Sequence, residues 1–292
     1  MKKMMKKIVI ICLNLILILM MVTACGTSTK TGSGSGSGKE ILRVGMECAY
    51  APFNWTQSES ELKNGSVAEP IYGTNDYAYG YDVMVARMLA DELDMELQIH
   101  KVEWSSIVLG MNSGNYDAII AGMGYTEERD NSVDFTQAYY LRDNVLIVRK
   151  DSELATIKGL SEIDGASATT QIGTIWEQYV EQIPNVDKKT YFETTSEVVM
   201  SVITGSVDCA VLDEPTAMSA TLSNPDLAVV KFSEDDGFFI PEGQSLNVCI
   251  AVKEGDTELQ SKLDEALDII EWDSEKMEEL MNLSVTLQPL SK

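Results

Sequence analysis

From residue 41 onward, apolar positions recur at two alternating periods. Residues 41–46 form a short apolar run of strand length. Residues 83–93 then place Val85, Met88, Leu89 and Leu93 at helical spacing. Residues 95–102 read as a second strand. Ser105 or Ser106 can cap a helix running through Met111, with Gly114 as its stop. Residues 116–121 read as the next strand. Strands alternating with helices in this order predict an α/β fold.

The last of these units recurs. Ser106 opens a helix carrying Ile107, Val108 and Met111, followed by Gly114 and Asp117-Ala118-Ile119-Ile120. Ser196 opens one carrying Val198, Val199, Val202 and Ile203, followed by Gly205 and Asp208-Cys209-Ala210-Val211-Leu212. Glycine precedes aspartate by three in both. The first strand runs out at Ala121-Gly122 and the second at Asp213, so these positions are equivalent in two similar lobes. Ligands in α/β sheets sit beyond the carboxyl ends of strands. Further on, residues 245–252 predict a strand. The helix after it is capped by Asp256 or Thr257, with Leu259, Leu263, Leu267 and Ile270 on one face. Residues 191–192 read as a short strand. Residues 59–79, rich in Gly, Asn, Ser and Glu, read as an irregular inserted loop near the rim of a cleft.

Candidate chemistry concentrates at one strand end. Gly122 and Gly124 leave the backbone bare, and Arg129 follows seven residues after the first of them. Exposed N–H groups and a guanidinium fork together suit a carboxylate. Taken alone, the stretch is equally a strand, a turn and a solvated arginine. His100, the single histidine, sits in an alternating run and reads as a structural strand residue.

The N-terminus carries a leader. Lys2, Lys3, Lys6 and Lys7 precede an apolar run over residues 8–22, too short to span a bilayer comfortably but suited to a signal peptide. Val22-Thr23-Ala24-Cys25 resembles the lipobox of bacterial lipoproteins, which implies cleavage after residue 24 and a lipid, palmitate included, on Cys25. Residues 25–39 end in Gly-Ser repeats and read as a flexible tether. Loss of the four leader lysines takes the net charge from −24 to −28, which argues against nucleic acid as a partner. Cys48, Cys209 and Cys249 then remain. Their spacing fits no metal motif, and an odd number leaves at least one thiol free.

Ordered motifs across residues 42–281 carry a family resemblance. They are Arg43-Val44-Gly45, Tyr50-Ala51-Pro52-Phe53, Gly80-Tyr81-Asp82-Val83, Trp104, Gly114-Asn115-Tyr116-Asp117-Ala118, Thr126-Glu127-Glu128-Arg129, Val133-Asp134-Phe135-Thr136, Tyr139-Tyr140, Gly173-Thr174 and Asp213. Together they resemble bacterial extracellular solute-binding proteins of family 3, the amino-acid receptors of ABC importers. The resemblance implies a two-lobe periplasmic-binding-protein-like (type II) α/β fold with a two-strand hinge. Lobe one would comprise residues 40–143 and 246–292, and lobe two residues 144–245. The hinge would cross near 144–148 and 245–248.

The resemblance also implies roles. Arg129 would take the ligand carboxylate, aided by backbone at Ala121, Gly122 and Gly124 and by Gly173 and Thr174. Gly124 stands where relatives often carry a hydroxyl. Asp213 would pair with the α-ammonium from the opposite lobe. Tyr50 and Trp104 would flank the side chain, Glu47 would meet its distal polar group, and Gln171 and Trp176 would line the far pocket. Glu47 leans the ligand toward a polar or basic amino acid. No cofactor or metal is called for. The implied partners are the amino acid, an ABC permease and ATPase, and the membrane through the lipid, with the receptor a monomer on the extracellular face. Two other readings use the same scaffold: an enzyme resembling cyclohexadienyl dehydratase, with Glu47 as its acid, and a surface sensor or adhesin.

Overall fold

The computed structural model describes residues 38–289. The leader, Cys25 and nearly all of the tether lie outside the described residues. Two sheets organise the body. The first runs Glu96–Lys101, Ile41–Met46, Ala118–Ile119, Gln244–Lys253, Gly124–Thr126, and Val133–Leu141 also pairs with the long Gln244–Lys253 strand. Its first three members are parallel and Gln244–Lys253 is antiparallel to its neighbours. The second sheet runs Asp187–Lys188, Ser167–Thr169, Cys209–Asp213, Asn144–Arg149, Leu227–Val230. Strand Ile41–Met46 forms where its apolar run predicts, with Leu42, Val44 and Met46 wholly buried.

The repeated helix–glycine–aspartate unit is real and has a physical reason. Gly114 and Gly205 both adopt positive φ, 81° and 70°, ending helices Ile107–Asn112 and Thr195–Ile203. The aspartate three residues later holds the neighbouring parallel strand. Asp117 accepts from Arg43 N at 3.0 Å, and Asp208 accepts from Ser167 N at 2.8 Å. The cap of the second helix is Thr194, in a capping box with Glu197, rather than Ser196. The strand expected over 116–121 shrinks to Ala118–Ile119, and a separate strand, Gly124–Thr126, follows the glycine turn.

The chain leaves the first sheet at Leu141 and enters the second at Asn144. Arg142 and Asp143 are therefore the outward crossing, and residues 231–243 carry the return. The expected crossings at 144–148 and 245–248 lie slightly too far along, since those segments already pair within their sheets. Arg142 N donates to Leu246 O at 3.3 Å and ties the two passages together.

Residues 59–79 do not form an irregular rim loop. They supply Glu69–Pro70 and Tyr77–Tyr79 to a small sheet with Ala49–Tyr50 and Asn54–Gln57. That sheet covers a separate apolar cluster of Trp55, Leu62, Ala68, Tyr79 and Leu287. Residues 191–192 form only a bridge, Phe192 to Gln171, and the strand there is Asp187–Lys188. His100 bonds Gln98 and stacks on Tyr72, 4.9 Å between centroids, away from the cleft. Cys48, Cys209 and Cys249 are buried and free, with burial raising each thiol to about 12. Among the described residues no helix is long and apolar enough to cross a membrane.

Candidate ligand-binding cleft

The carboxyl ends of strands from both sheets face one cavity. Strand Ile41–Met46 delivers Glu47 and Tyr50, strand Glu96–Lys101 delivers Trp104, and strand Ala118–Ile119 delivers Ala121, Gly122 and Gly124. From the other side, strand Ser167–Thr169 delivers Gln171, Thr174 and Trp176. Arg129 completes the wall from the short helix Glu127–Asp130, whose Thr126 cap accepts the Arg129 backbone N–H through its hydroxyl at 3.0 Å. All of these positions were expected from sequence. Two wall residues were not: Arg142 and Ile175.

Arg129 donates through Nη1 to Gly124 O at 2.7 Å and through Nη2 to Gly173 O at 3.0 Å. Trp104 Nε1 donates to the same Gly173 carbonyl at 3.1 Å, and the guanidinium lies 5.3 Å from the indole centroid. Gly173 thus meets the site through its carbonyl and does not line the cavity. Burial, and then the charge of nearby Arg142, pull Arg129 down to about 10, so it stays cationic at neutral pH.

Asp213 also stands behind the wall. It is wholly buried, and its Oδ1 accepts Thr216 N at 2.9 Å as cap of helix Glu214–Ser223. Its Oδ2 accepts the Tyr50 hydroxyl at 2.5 Å. Burial and the Asp213 charge raise the Tyr50 phenol well above its usual range, which keeps it a neutral donor. Asp213 therefore reaches the cavity through Tyr50. The Tyr50 ring is stacked on Phe53, 4.8 Å between centroids, and meets the edge of Trp176 at 6.2 Å.

Gly122 fits beneath that ring. Its φ is 62°, and a Cβ there would lie 2.5 Å from Tyr50 Cε1. Its N–H donates to Tyr139 Oη at 2.9 Å, which donates to Asp82 Oδ1 at 2.7 Å, while Asn54 Nδ2 donates to Asp82 Oδ2 at 2.7 Å. The aspartate of the Gly80-Tyr81-Asp82-Val83 motif is thus a buried anchor for the glycine turn. Burial raises its carboxyl to about 6 against the pull of those donors.

At the far end Glu47 is 5% exposed. Gln171 Nε2 donates to both its oxygens, at 3.1 and 3.2 Å, and to Glu193 O at 2.7 Å. Burial raises Glu47 to about 7. Trp176 is anchored by Nε1 to Asn144 Oδ1 at 3.0 Å, and the Thr174 hydroxyl is taken by Gln171 O at 2.7 Å. Among the described residues no cluster of His, Cys, Asp and Glu could hold a metal.

Arg142 is 6% exposed. Its Nη1 donates to Gly122 O at 2.8 Å and Tyr50 Oη at 3.2 Å, and its guanidinium faces the Trp176 ring at 5.5 Å. Nothing in its flanking sequence marks it. The available signal was the missing side chain opposite it at Gly124.

Two α/β lobes, a paired crossing and a mixed-charge cleft between strand ends define a solute-binding receptor fold. Residues 42–282 match bacterial extracellular solute-binding proteins, family 3, and the chain belongs to that family. It is 29% identical over 245 residues to the arginine-binding extracellular protein ArtP of Bacillus subtilis, covering 83% of this chain and 85% of the relative. An amino-acid ABC transporter substrate-binding protein from Streptococcus pneumoniae bound to L-arginine shares the fold, with a TM-score of 0.70 at 23% identity over 86% of this chain and 97% of the other. An ancestral amino-acid-binding protein described as a precursor of cyclohexadienyl dehydratase has a TM-score of 0.65 at 25% identity over 84% of this chain and 95% of its own.

Proposed function

We propose that the protein is a lipid-anchored extracellular receptor that closes on a polar or basic amino acid and passes it to an ABC importer. The supporting observation is the joining of Arg129, the Gly122–Gly124 strand end, Tyr50 and Glu47 in one cleft between two lobes. In this reading Arg129 exchanges a neutral carbonyl partner for the ligand carboxylate, and an ion-paired bond is stronger than one to an uncharged acceptor. The Tyr50–Asp213 pair faces the ammonium, and Glu47 with Gln171 meets the side-chain head. Relatives named for arginine binding support a cationic head. Lobe closure is a hinge motion through residues 142–143 and 231–243. The lipid on Cys25 holds the receptor at the membrane, and the permease and ATPase are its partners.

Calorimetric titration with the twenty amino acids tests the reading. Micromolar or tighter binding of at least one is expected, and a folded protein that binds none overturns it. Labelling with a palmitate analogue, lost in Cys25→Ala, tests the anchor. A second reading is favoured by one observation: a buried carboxyl near pH 7 is a general acid poised for elimination chemistry. Turnover of a bound cyclic substrate, lost in Glu47→Gln, would establish that reading.

A further inference from the structure

Arg142 is a second cation in the same cleft as Arg129. Neither guanidinium enters any ion pair among the described residues. Asp213, the nearest acid in the bonding scheme, spends its contacts on Tyr50 and Thr216. Arg142 is buried and Arg129 half-buried, neither has a counter-ion, and their mutual repulsion adds to the cost of the unpaired charge. An anion entering between them removes both penalties.

The two guanidinium groups differ in what remains unused. Arg129 gives both terminal nitrogens to backbone carbonyls. Arg142 gives only Nη1 to protein acceptors, and its buried Nε has no partner at all. Nε and Nη2 form the side-on fork by which arginine grips a carboxylate with two parallel bonds. Space for that fork comes from the residue opposite: a Cβ on Gly124 would lie 2.9 Å from Arg142 Nη2. Trp176 covers the other face of the guanidinium. Arg142, Gly124 and Trp176 are thus mutually fitted.

We propose that Arg142 binds a second carboxylate, so that the preferred ligand of this cleft is an amino acid carrying two. The inference rests on the amino-acid-receptor reading above and narrows its ligand class. Two kinds of molecule present that chemistry: an acidic amino acid, and an amino acid whose α-nitrogen bears a carboxyalkyl group. The second kind leaves the side chain free to reach Glu47.

The test is calorimetry on the full mature chain with two matched pairs: glutamine against glutamate, and arginine against N-(1-carboxyethyl)arginine. The wild type should bind the dicarboxylate of at least one pair about tenfold or more tighter, the scale of a charge-assisted fork. Whichever pair shows the preference identifies the kind of ligand. Arg142→Gln should erase the preference, read as the ratio of the two affinities within each pair, which a uniform change of the cleft would leave unaltered. Gly124→Ser, which crowds the fork without removing the charge, should weaken the dicarboxylate selectively and serves if Arg142→Gln does not fold. Equal or tighter wild-type binding of glutamine and arginine would overturn the inference while leaving the receptor reading intact. So would a uniform loss of all four ligands in Arg142→Gln, which would make Arg142 a brace for Tyr50. Binding of none of the four by a folded wild type would overturn the inference, and the receptor reading would fall with it only if the rest of the twenty amino acids also failed to bind.

Discussion

Glu47 offers the sharpest physical test because its environment opposes its own ionisation. The carboxylate is 5% exposed and is met by one amide donor, Gln171, rather than by a cation. Burial raises its pKa from 4.5 to about 7. A raised value means that the folded cleft holds the proton more tightly than the unfolded chain. The associated stability is fully present below about pH 4.5 and is lost as pH rises through about 7. At 1.36 kcal/mol per unit, the shift corresponds to about 3 kcal/mol between those limits. Glu47→Gln keeps the shape and an acceptor for Gln171 but cannot ionise. Thermal melts of both proteins from pH 4.5 to 8.5 should therefore coincide at the acid end and diverge as pH rises. At pH 8 the variant should melt several degrees higher, since 1 kcal/mol moves a domain of this size by roughly 2–4 °C. Parallel melting curves, or a variant less stable at pH 8, would mean that Glu47 carries no proton-linked penalty in the fold. The same proton links to ligand choice. A cationic side chain needs ionised Glu47, so arginine should bind more tightly as pH rises through about 7, by up to about tenfold per unit below it, while glutamine should not.

Three further outcomes follow from the bonding around the cleft. Asp82→Ala leaves the Asn54 amide and the Tyr139 hydroxyl without their buried acceptor and should cost about 2–5 kcal/mol in urea denaturation. Gly122→Ala combines a left-handed backbone with a clash against Tyr50, so ligand affinity should fall at least about thirtyfold, with a stability loss of about 1–3 kcal/mol. Arg129→Ala removes the proposed carboxylate fork from a half-buried surface position. Calorimetry should show binding weakened by about a hundredfold or more, with the melting temperature little changed.

Much of this was legible because two periods and a repeat carry it. Apolar runs mark the strands, and the glycine–aspartate spacing marks where each helix stops and which backbone N–H the next strand secures. Strand ends in an α/β sheet then point to Gly122, whereas Glu47, Tyr50 and Trp104 were marked only by the family motifs. What was not legible depends on the third dimension. Arg142 sits in Tyr140-Leu141-Arg142-Asp143, which reads as the frayed end of a strand. It turns inward only because the chain crosses between sheets there. The seclusion of Asp213 arises from a tyrosine 163 positions earlier in the chain. Residues 59–79 hide two strands of two and three residues, too short to show any period.

The bonds that span the cleft decide how its affinity should be understood. Tyr50 joins Asp213, Glu47 joins Gln171, and Trp104 and Arg129 both join the Gly173 carbonyl. Each of these four side chains thus already has a protein partner on the second lobe. A ligand gains only the difference between its own contacts and those it displaces, and it shifts the lobes toward closure only by that difference. A neutral amide exchanged for another at Glu47 gives little. A carboxylate exchanged for a carbonyl at Arg129 gives an ion pair in place of a bond to an uncharged acceptor. Arg142 is the exception: its Nε has no protein partner to displace, so an anion there contributes its full contact. Selectivity in this cleft should therefore be dominated by the anionic end of the ligand, with Glu47 adjusting the choice of head group according to pH.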